Sequence, residues 1–320
     1  MTIKEKQTFI RLAPLLDFLE FSEENRRLTL DRPPFPLLVP FRLAEKMEKN
    51  NPSCPIFRQF VPQQDEKNTS GNFFKEPVQD PLFRLGGKLL QKYEGRSLIL
   101  TTKACAMHCR YCFRQNFSYE TEKKGFAEEI ALLRKNRTLH EVILSGGDPL
   151  SLDNKALISL LDAIASIDHI QIVRFHTRTP IGHPERIDAE LLDYLKTFPK
   201  KIIFILHINH PKELDREIIS CFDRLRELKI PLLSQSVLLK GVNDSVETLR
   251  ELSFALFQAG VLPYYLHQLD RVQGAIHFEV DRQEGLALIE ELRASLPGYL
   301  VPKYVEEIPQ KPSKTEILPL

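Results

Sequence analysis

Three of the chain's five cysteines, Cys105, Cys109 and Cys112, fall inside the eight-residue stretch CAMHCRYC. Thiols clustered as C-x3-C-x2-C bind metals or react far more often than they are unrelated buried side chains. Zinc sites commonly take four ligands from paired knuckles, and the remaining cysteines, Cys54 and Cys221, lie far off without partner spacing. A zinc site, or an electron-transfer cluster completed by a remote ligand, stays open on spacing alone. The reading that uses the missing fourth thiolate is a [4Fe–4S] cluster held by three cysteines with one iron free. Such an iron can take the amino and carboxylate groups of S-adenosylmethionine (SAM), and an electron from the cluster then cleaves the sulfonium to a 5′-deoxyadenosyl radical. Tyr111, the aromatic before Cys112, belongs to the same pattern.

These residues need a scaffold. From Ser97 onward short apolar runs alternate with helical stretches: SLILTT, EVILSGG, IQIVRFHTR, KIIFILHIN, PLLSQSVLL and LPYYLHQLD each precede an amphipathic segment. Six strand–helix units argue for an α/β fold with a parallel sheet, and six rather than eight for a partial (β/α)6 barrel. Polar residues gather at the strand exits: Ser145 and Asp148, His176 and Arg178, His207 and Asn209, Gln235, His267 and Asp270. The C-terminal edge of a parallel sheet is where such folds build their sites. Arg174, His176 and Arg178 alternate along one strand and so share a face. SGGDP at Ser145–Pro149 is on its own an ordinary turn. Residues 1–95 read as a helical and irregular lead-in, 96–298 as the core and 299–320 as a terminal segment.

At 320 residues, with 42% hydrophobic and 27% charged residues, the chain is a globular protein with room for a large core. A net charge of +1 gives no pull toward nucleic acid or an anionic membrane. Charged residues interrupt the first fifteen positions and the run IIFIL is too short to span a bilayer, so a cytoplasmic protein is expected.

The motif C-x3-C-x-aromatic-C after a first strand resembles the radical SAM superfamily. The segments CRYCFRQNF, SGGDPL, FHTRTP, HINHP, SQSVLLKGVND and PYYLHQLDRVQGAIHF, in this order, are similar to the lysine 2,3-aminomutase family. LVPFRLAEKMEKNNPSCPIFRQF, PYYLHQLDRVQGAIHF and GYLVPKYVEEIPQKPSKTEI resemble its branch acting for elongation factor P. The resemblance implies an isomerase that converts L-α-lysine to β-lysine, with a [4Fe–4S] cluster, SAM and pyridoxal 5′-phosphate (PLP). It implies a reducing electron donor, a functional link to elongation factor P and its lysyl ligase, and a homo-oligomer. A free-lysine enzyme of metabolism, or a non-catalytic cluster- or zinc-binding module, are the competing expectations.

Residue by residue, the resemblance assigns the cluster to Cys105, Cys109 and Cys112 and the PLP Schiff base to Lys314 in QKPSKTE. A Schiff-base lysine must be unprotonated to attack an aldehyde, so this tail should fold back over the sheet's rim. Lys92, Tyr93 and Arg96 correspond to the phosphate-binding stretch, with Lys92 standing where free-lysine enzymes have arginine. Ser145, Gly146, Gly147, Asp148, His207 and Gln235 correspond to cofactor contacts, the glycines letting backbone approach the methionine amino group. Arg114 corresponds to the residue holding the substrate carboxylate, Asp270 and Glu307 to the acids that receive the side-chain ammonium. Ser245 replaces a zinc cysteine of the free-lysine enzymes.

Overall fold

In the computed structural model the chain is described over residues 8–69, 71–119 and 125–318. The six apolar runs become six neighbouring parallel strands: β5 (Arg96–Thr102), β6 (Glu141–Gly146), β7 (Ile172–Thr177), β8 (Lys201–His207), β9 (Leu232–Val237) and β10 (Leu262–His267). They are preceded in the chain by a small antiparallel pair, β1 (Thr8–Phe9) and β2 (Val39–Pro40), and by β3 (Arg84–Gly86) and β4 (Leu89–Tyr93). β3 and β4 join β5 antiparallel at one edge of the main sheet. At the other edge β11 (Lys303–Glu306) adds a seventh parallel strand and β12 (Thr315–Glu316) turns back antiparallel on it. The fold is therefore α/β with a mostly parallel ten-stranded sheet. Among the described residues no strand pairing joins its two ends.

Period-two alternation decides what each strand face does. Along β7, Val173, Phe175 and Thr177 are buried while Ile172, Arg174 and His176 are only partly covered. Val173 and Phe175 face the helices, where Phe175 stacks on Phe204 of β8 at 4.7 Å. Arg174 and His176 face the concave side and line a cavity. Helices α5 (Ala127–Lys135), α6 (Asn154–Ala165), α8 (Ala189–Thr197), α9 (Arg216–Glu227), α10 (Val246–Gln258) and α11 (Arg282–Ser295) follow the six strands, with a single turn, α7 (Thr179–Gly182), after β7. Five of them start on a side-chain cap: Asp153, Asp188, Asp215, Ser245 and Asp281 each accept a backbone N–H of the first turn, which satisfies donors the helix itself leaves unpaired. Ser245, expected to stand in for a metal-binding cysteine, has a local capping role.

Residues of the lead-in pack into the same core. Helices α1 (Leu12–Phe18), α2 (Glu23–Arg26), α3 (Phe41–Glu45) and α4 (Pro55–Phe60) precede the sheet, and Leu43, Ile56, Phe57 and Phe60 share one apolar cluster with Val173, Phe175 and Phe204. The boundary expected near residue 95 falls between β4 and β5, two hydrogen-bonded neighbours.

Candidate active site

The concave face of the sheet encloses a cavity of about 650 Å³. Every residue expected in the site lies on its wall: the three cysteines, Lys92, Tyr93, Arg96, Arg114, Ser145 to Asp148, His207, Gln235, Asp270, Glu307 and Lys314. The sheet brings together residues more than two hundred positions apart, which no local pattern could do.

The cysteine loop leaves the C-terminal end of β5. All three thiols are free and partly buried. Burial, reinforced by the neighbouring thiols, pushes Cys112 up to about 11 and Cys105 higher still. Such thiols ionise only beside a positive centre, as a bound metal provides. Among the described residues no group of His, Cys, Asp and Glu closes tightly enough around one point for a single metal ion.

Behind the loop stands a buried polar network. Arg178 donates to Cys109 Sγ at 3.0 Å and to the Tyr111 hydroxyl, and its other terminal nitrogen reaches Gln59 Oε1 at 2.7 Å and Glu213 Oε2 at 2.9 Å. Asn209 donates to Tyr111 at 2.7 Å and to Gln59 at 3.0 Å. Buried charge is tolerated only with a partner, and Arg178 has one in Glu213, although its Nε is buried without an acceptor. Gln59 and Glu213 were not among the expected residues; they come from α4 and from a turn after β8, and only the fold unites them.

The SGGDP turn is built around that loop. A side chain at Gly147 would put its Cβ 2.1 Å from the Ala104 carbonyl, and Gly146 has φ +118° with Thr102 O at 2.8 Å. The glycines are thus required for the backbone of residues 102–104 to pass. Asp148 was expected to touch cofactor. Its carboxylate instead accepts from Leu150 N, Thr177 Oγ1, Arg178 N and Thr179 N at 2.7–3.0 Å. That fastens the end of β7 and leaves the carboxylate little to offer a ligand.

The tail folds back as expected. In the β11–β12 hairpin Val305 faces Glu316 and Glu306 faces Thr315, and one step further Lys314 Nζ lies 2.8 Å from Glu307 Oε2. Glu307 also accepts from the Tyr93 hydroxyl at 2.8 Å and from Lys92 at 3.3 Å, so the last strands reach the first across the open seam. Lys314 foremost among these cations, against a burial cost, holds the Glu307 carboxyl below its usual range. Lys92 meets Val78 O at 2.9 Å and Asp80 Oδ1 at 2.8 Å as well. With Glu307, these contacts give its ammonium three acceptors within the protein. Asp80 also fixes Arg114 through Nε at 2.7 Å, leaving the outer nitrogens of the guanidinium toward the cavity and Ser145. Asp80, unforeseen, sits in an irregular segment without periodicity.

Asp270 differs from the other acids. No described side chain hydrogen-bonds its carboxylate, and burial pushes it up to about 6 against the pull of Lys314. It is open to a cation. His176, His207 and His267, all held well below the ordinary imidazole value by burial, line the wall as neutral rings. His176 Nε2 is buried without a partner, and Tyr111 bridges to His207 Nε2 at 3.3 Å. An unpartnered buried nitrogen, a free acid and an amine on one cavity suit a polar ligand that completes them.

Residues 99–252 match the radical SAM superfamily. The chain is 41% identical over 286 residues to L-lysine 2,3-aminomutase of Escherichia coli, covering 88% of this chain and 83% of that protein. It is 39% identical to L-lysine 2,3-aminomutase of Haemophilus influenzae, over 98% of this chain and 96% of that one. The enzyme of the same name from Clostridium subterminale is 33% identical, with 88% and 68% covered. Among solved structures a radical SAM methyltransferase from Sphaerobacter thermophilus shares the fold, with a TM-score of 0.50 at 18% identity over 68% of each chain. Among the described residues no helix is long and apolar enough to cross a membrane.

Proposed function

This chain belongs to the L-lysine 2,3-aminomutase family and is a radical SAM isomerase; from that premise we propose that it moves the α-amino group of L-lysine to the β-carbon, with PLP carried on Lys314. One observation carries the reading: three free thiols, a tail amine and an unpartnered acid line the same cavity. When bound, the cluster and SAM supply a carbon radical, and PLP a conjugated ring over which unpaired spin can spread.

The protein's residues would place and shield that chemistry. Cys105, Cys109 and Cys112 offer three thiolates, and Arg178, 3.0 Å from Cys109 Sγ, offsets their charge. Arg114, held through Nε by Asp80, presents its outer nitrogens to the substrate carboxylate. Asp270 receives the side-chain ammonium. Glu307 Oε2 keeps the Lys314 amine at the wall, accepting a hydrogen bond from it whenever the lysine is free. Leu98, Ile143, Ile203, Ile205 and Leu233 line the intervening surface and deny water access to a reactive radical.

The destination of the product is part of the proposal: β-lysine for elongation factor P, attached by a separate ligase. The tail QKPSKTE and the segment PYYLHQLDRVQGAIHF, which resemble that branch, support it. The test is anaerobic incubation of cluster-reconstituted protein with lysine, SAM and a reductant, followed by mass spectrometry. β-Lysine with 5′-deoxyadenosine is expected, and neither product would overturn the reading. Adding elongation factor P and its ligase then asks whether the released product is incorporated.

A further inference from the structure

The cysteine loop runs among three arginines, and each is matched by a carboxylate. Arg110, inside the loop, is held through Nε by Glu66 at 2.8 Å. Arg114, two residues past Cys112, is held by Asp80 at 2.7 Å. Arg178, just past β7, pairs with Glu213 at 2.9 Å. All six side chains are at least nine-tenths buried, where water screens their charges little. Among the described guanidinia, Arg178 alone donates to a sulfur of the loop, Cys109 Sγ. The Glu213 carboxylate only accepts: Oε2 from Arg178, and Oε1 from Gln59 Nε2 at 3.1 Å, Asn209 N at 3.0 Å and His210 N at 3.1 Å. Four converging donors suit an anion. Lys46, the other cation nearby, is taken by Asp215 at 2.7 Å and meets Glu213 only at its backbone carbonyl. Reduction of a cluster on the loop adds one negative charge beside Arg178. An unpaired guanidinium there would favour the added electron, whereas a paired one presents little net charge. Cleaving a sulfonium calls for a strongly reducing centre, which neutral surroundings preserve.

We propose that Glu213 holds the cluster's reduction potential low by cancelling the charge of Arg178, and that Glu66 does the same, more weakly, for Arg110. The proposal rests on the assignment of the cluster to Cys105, Cys109 and Cys112 put forward above. Glu213 touches none of these cysteines and acts on them through Arg178.

The test is a dithionite titration of full-length, cluster-reconstituted protein, read by electron paramagnetic resonance, with iron per chain measured on the same samples. Glu213→Gln keeps the shape and loses the charge. It should move the potential to a more positive value, roughly tenfold toward the reduced state or about 59 mV for one electron. The double variant Arg178→Gln/Glu213→Gln removes one charge of each sign and should fall back to the wild-type potential or below it. Where Glu213→Gln takes up no cluster, Glu66→Gln should show a smaller shift of the same sign, and an unmoved potential there would overturn the proposal. A merely structural role for Glu213 would lower iron content and leave the potential of the loaded fraction where it was. A potential at or below the wild-type value in Glu213→Gln at full iron therefore overturns the proposal, as does a double variant that keeps the whole positive shift. Wild-type protein that takes up no cluster would overturn the assignment of the cysteines and this proposal together; an unmoved potential overturns only the latter.

Discussion

Lys314 Nζ and Glu307 Oε2 lie 2.8 Å apart because a two-residue strand, β12, turns the tail back antiparallel on β11. The same carboxylate is held from the far side of the seam by Tyr93 and Lys92. Lysine and acid are thus fixed before any ligand arrives.

Lys314→Ala should fold, because the side chain is a quarter exposed and contributes one ion pair, but should carry no covalent PLP. Borohydride reduction and peptide mass spectrometry check this. A reduced PLP adduct that persists on the protein in that variant would refute the assignment of Lys314.

Arg178→Lys should shift the cluster's reduction potential to a more negative value. An N–H directed at a cysteine sulfur disperses the extra electron's charge, so losing it disfavours the reduced state. Redox titration followed by electron paramagnetic resonance gives the potential, with iron content measured alongside. An unchanged potential at full iron content would leave Arg178 a purely packing role.

Lysine binding should weaken as pH falls through about 6, where burial has moved Asp270. Only the ionised acid attracts an ammonium, so the loss approaches roughly tenfold per pH unit below that point. Asp270→Asn should bind weakly and without this dependence. Stability runs by separate signs. Asp270 holds its proton more tightly folded than unfolded, so its burial cost vanishes as pH drops toward the ordinary carboxyl range. His176, His207 and His267 are kept neutral when folded, whereas unfolded imidazoles take protons below about 6.5, so their contribution is lost as pH falls. Three groups outweigh one: the melting temperature should drop between about pH 7 and about pH 5, and more steeply in Asp270→Asn.

Gly147→Ala places a methyl against the Ala104 carbonyl at 2.1 Å. Overpacking of this kind costs about 1–3 kcal/mol, here at the root of the cysteine loop. Iron retained per chain and the thermal midpoint should both fall. Gly298→Ala, with nothing within 4 Å, is the matched control and should change neither.

The six central strands were readable because each is long enough to alternate between helix-facing and cavity-facing residues, as Val173, Arg174, Phe175 and His176 do. β11 was not, since four residues, KYVE, carry too little pattern. β3 and β4 were missed although Gly86 and Gly87 between leucines form a hairpin signal; the surrounding Pro, Asn and charge masked it. The cysteines announce themselves by local motif, whereas Lys314 in QKPSKTE is singled out only by the resemblance. Asp80, Gln59 and Glu213 do not, because their meaning lies in Arg114, Lys92 and Arg178, residues brought to them by the chain's path. For the same reason the occupation of Lys92 by three internal acceptors could not be read from KYEGR.

The β11–β12 hairpin carries an amine and an acid on facing positions and spans the gap between first and last strands through Glu307. Enclosure and cofactor attachment are consequently inherited as one unit: a deletion that removes the tether also unlatches the wall. Only single-atom surgery at Lys314, with Glu307 intact, can tell a leaking chamber from one that has lost its chemistry.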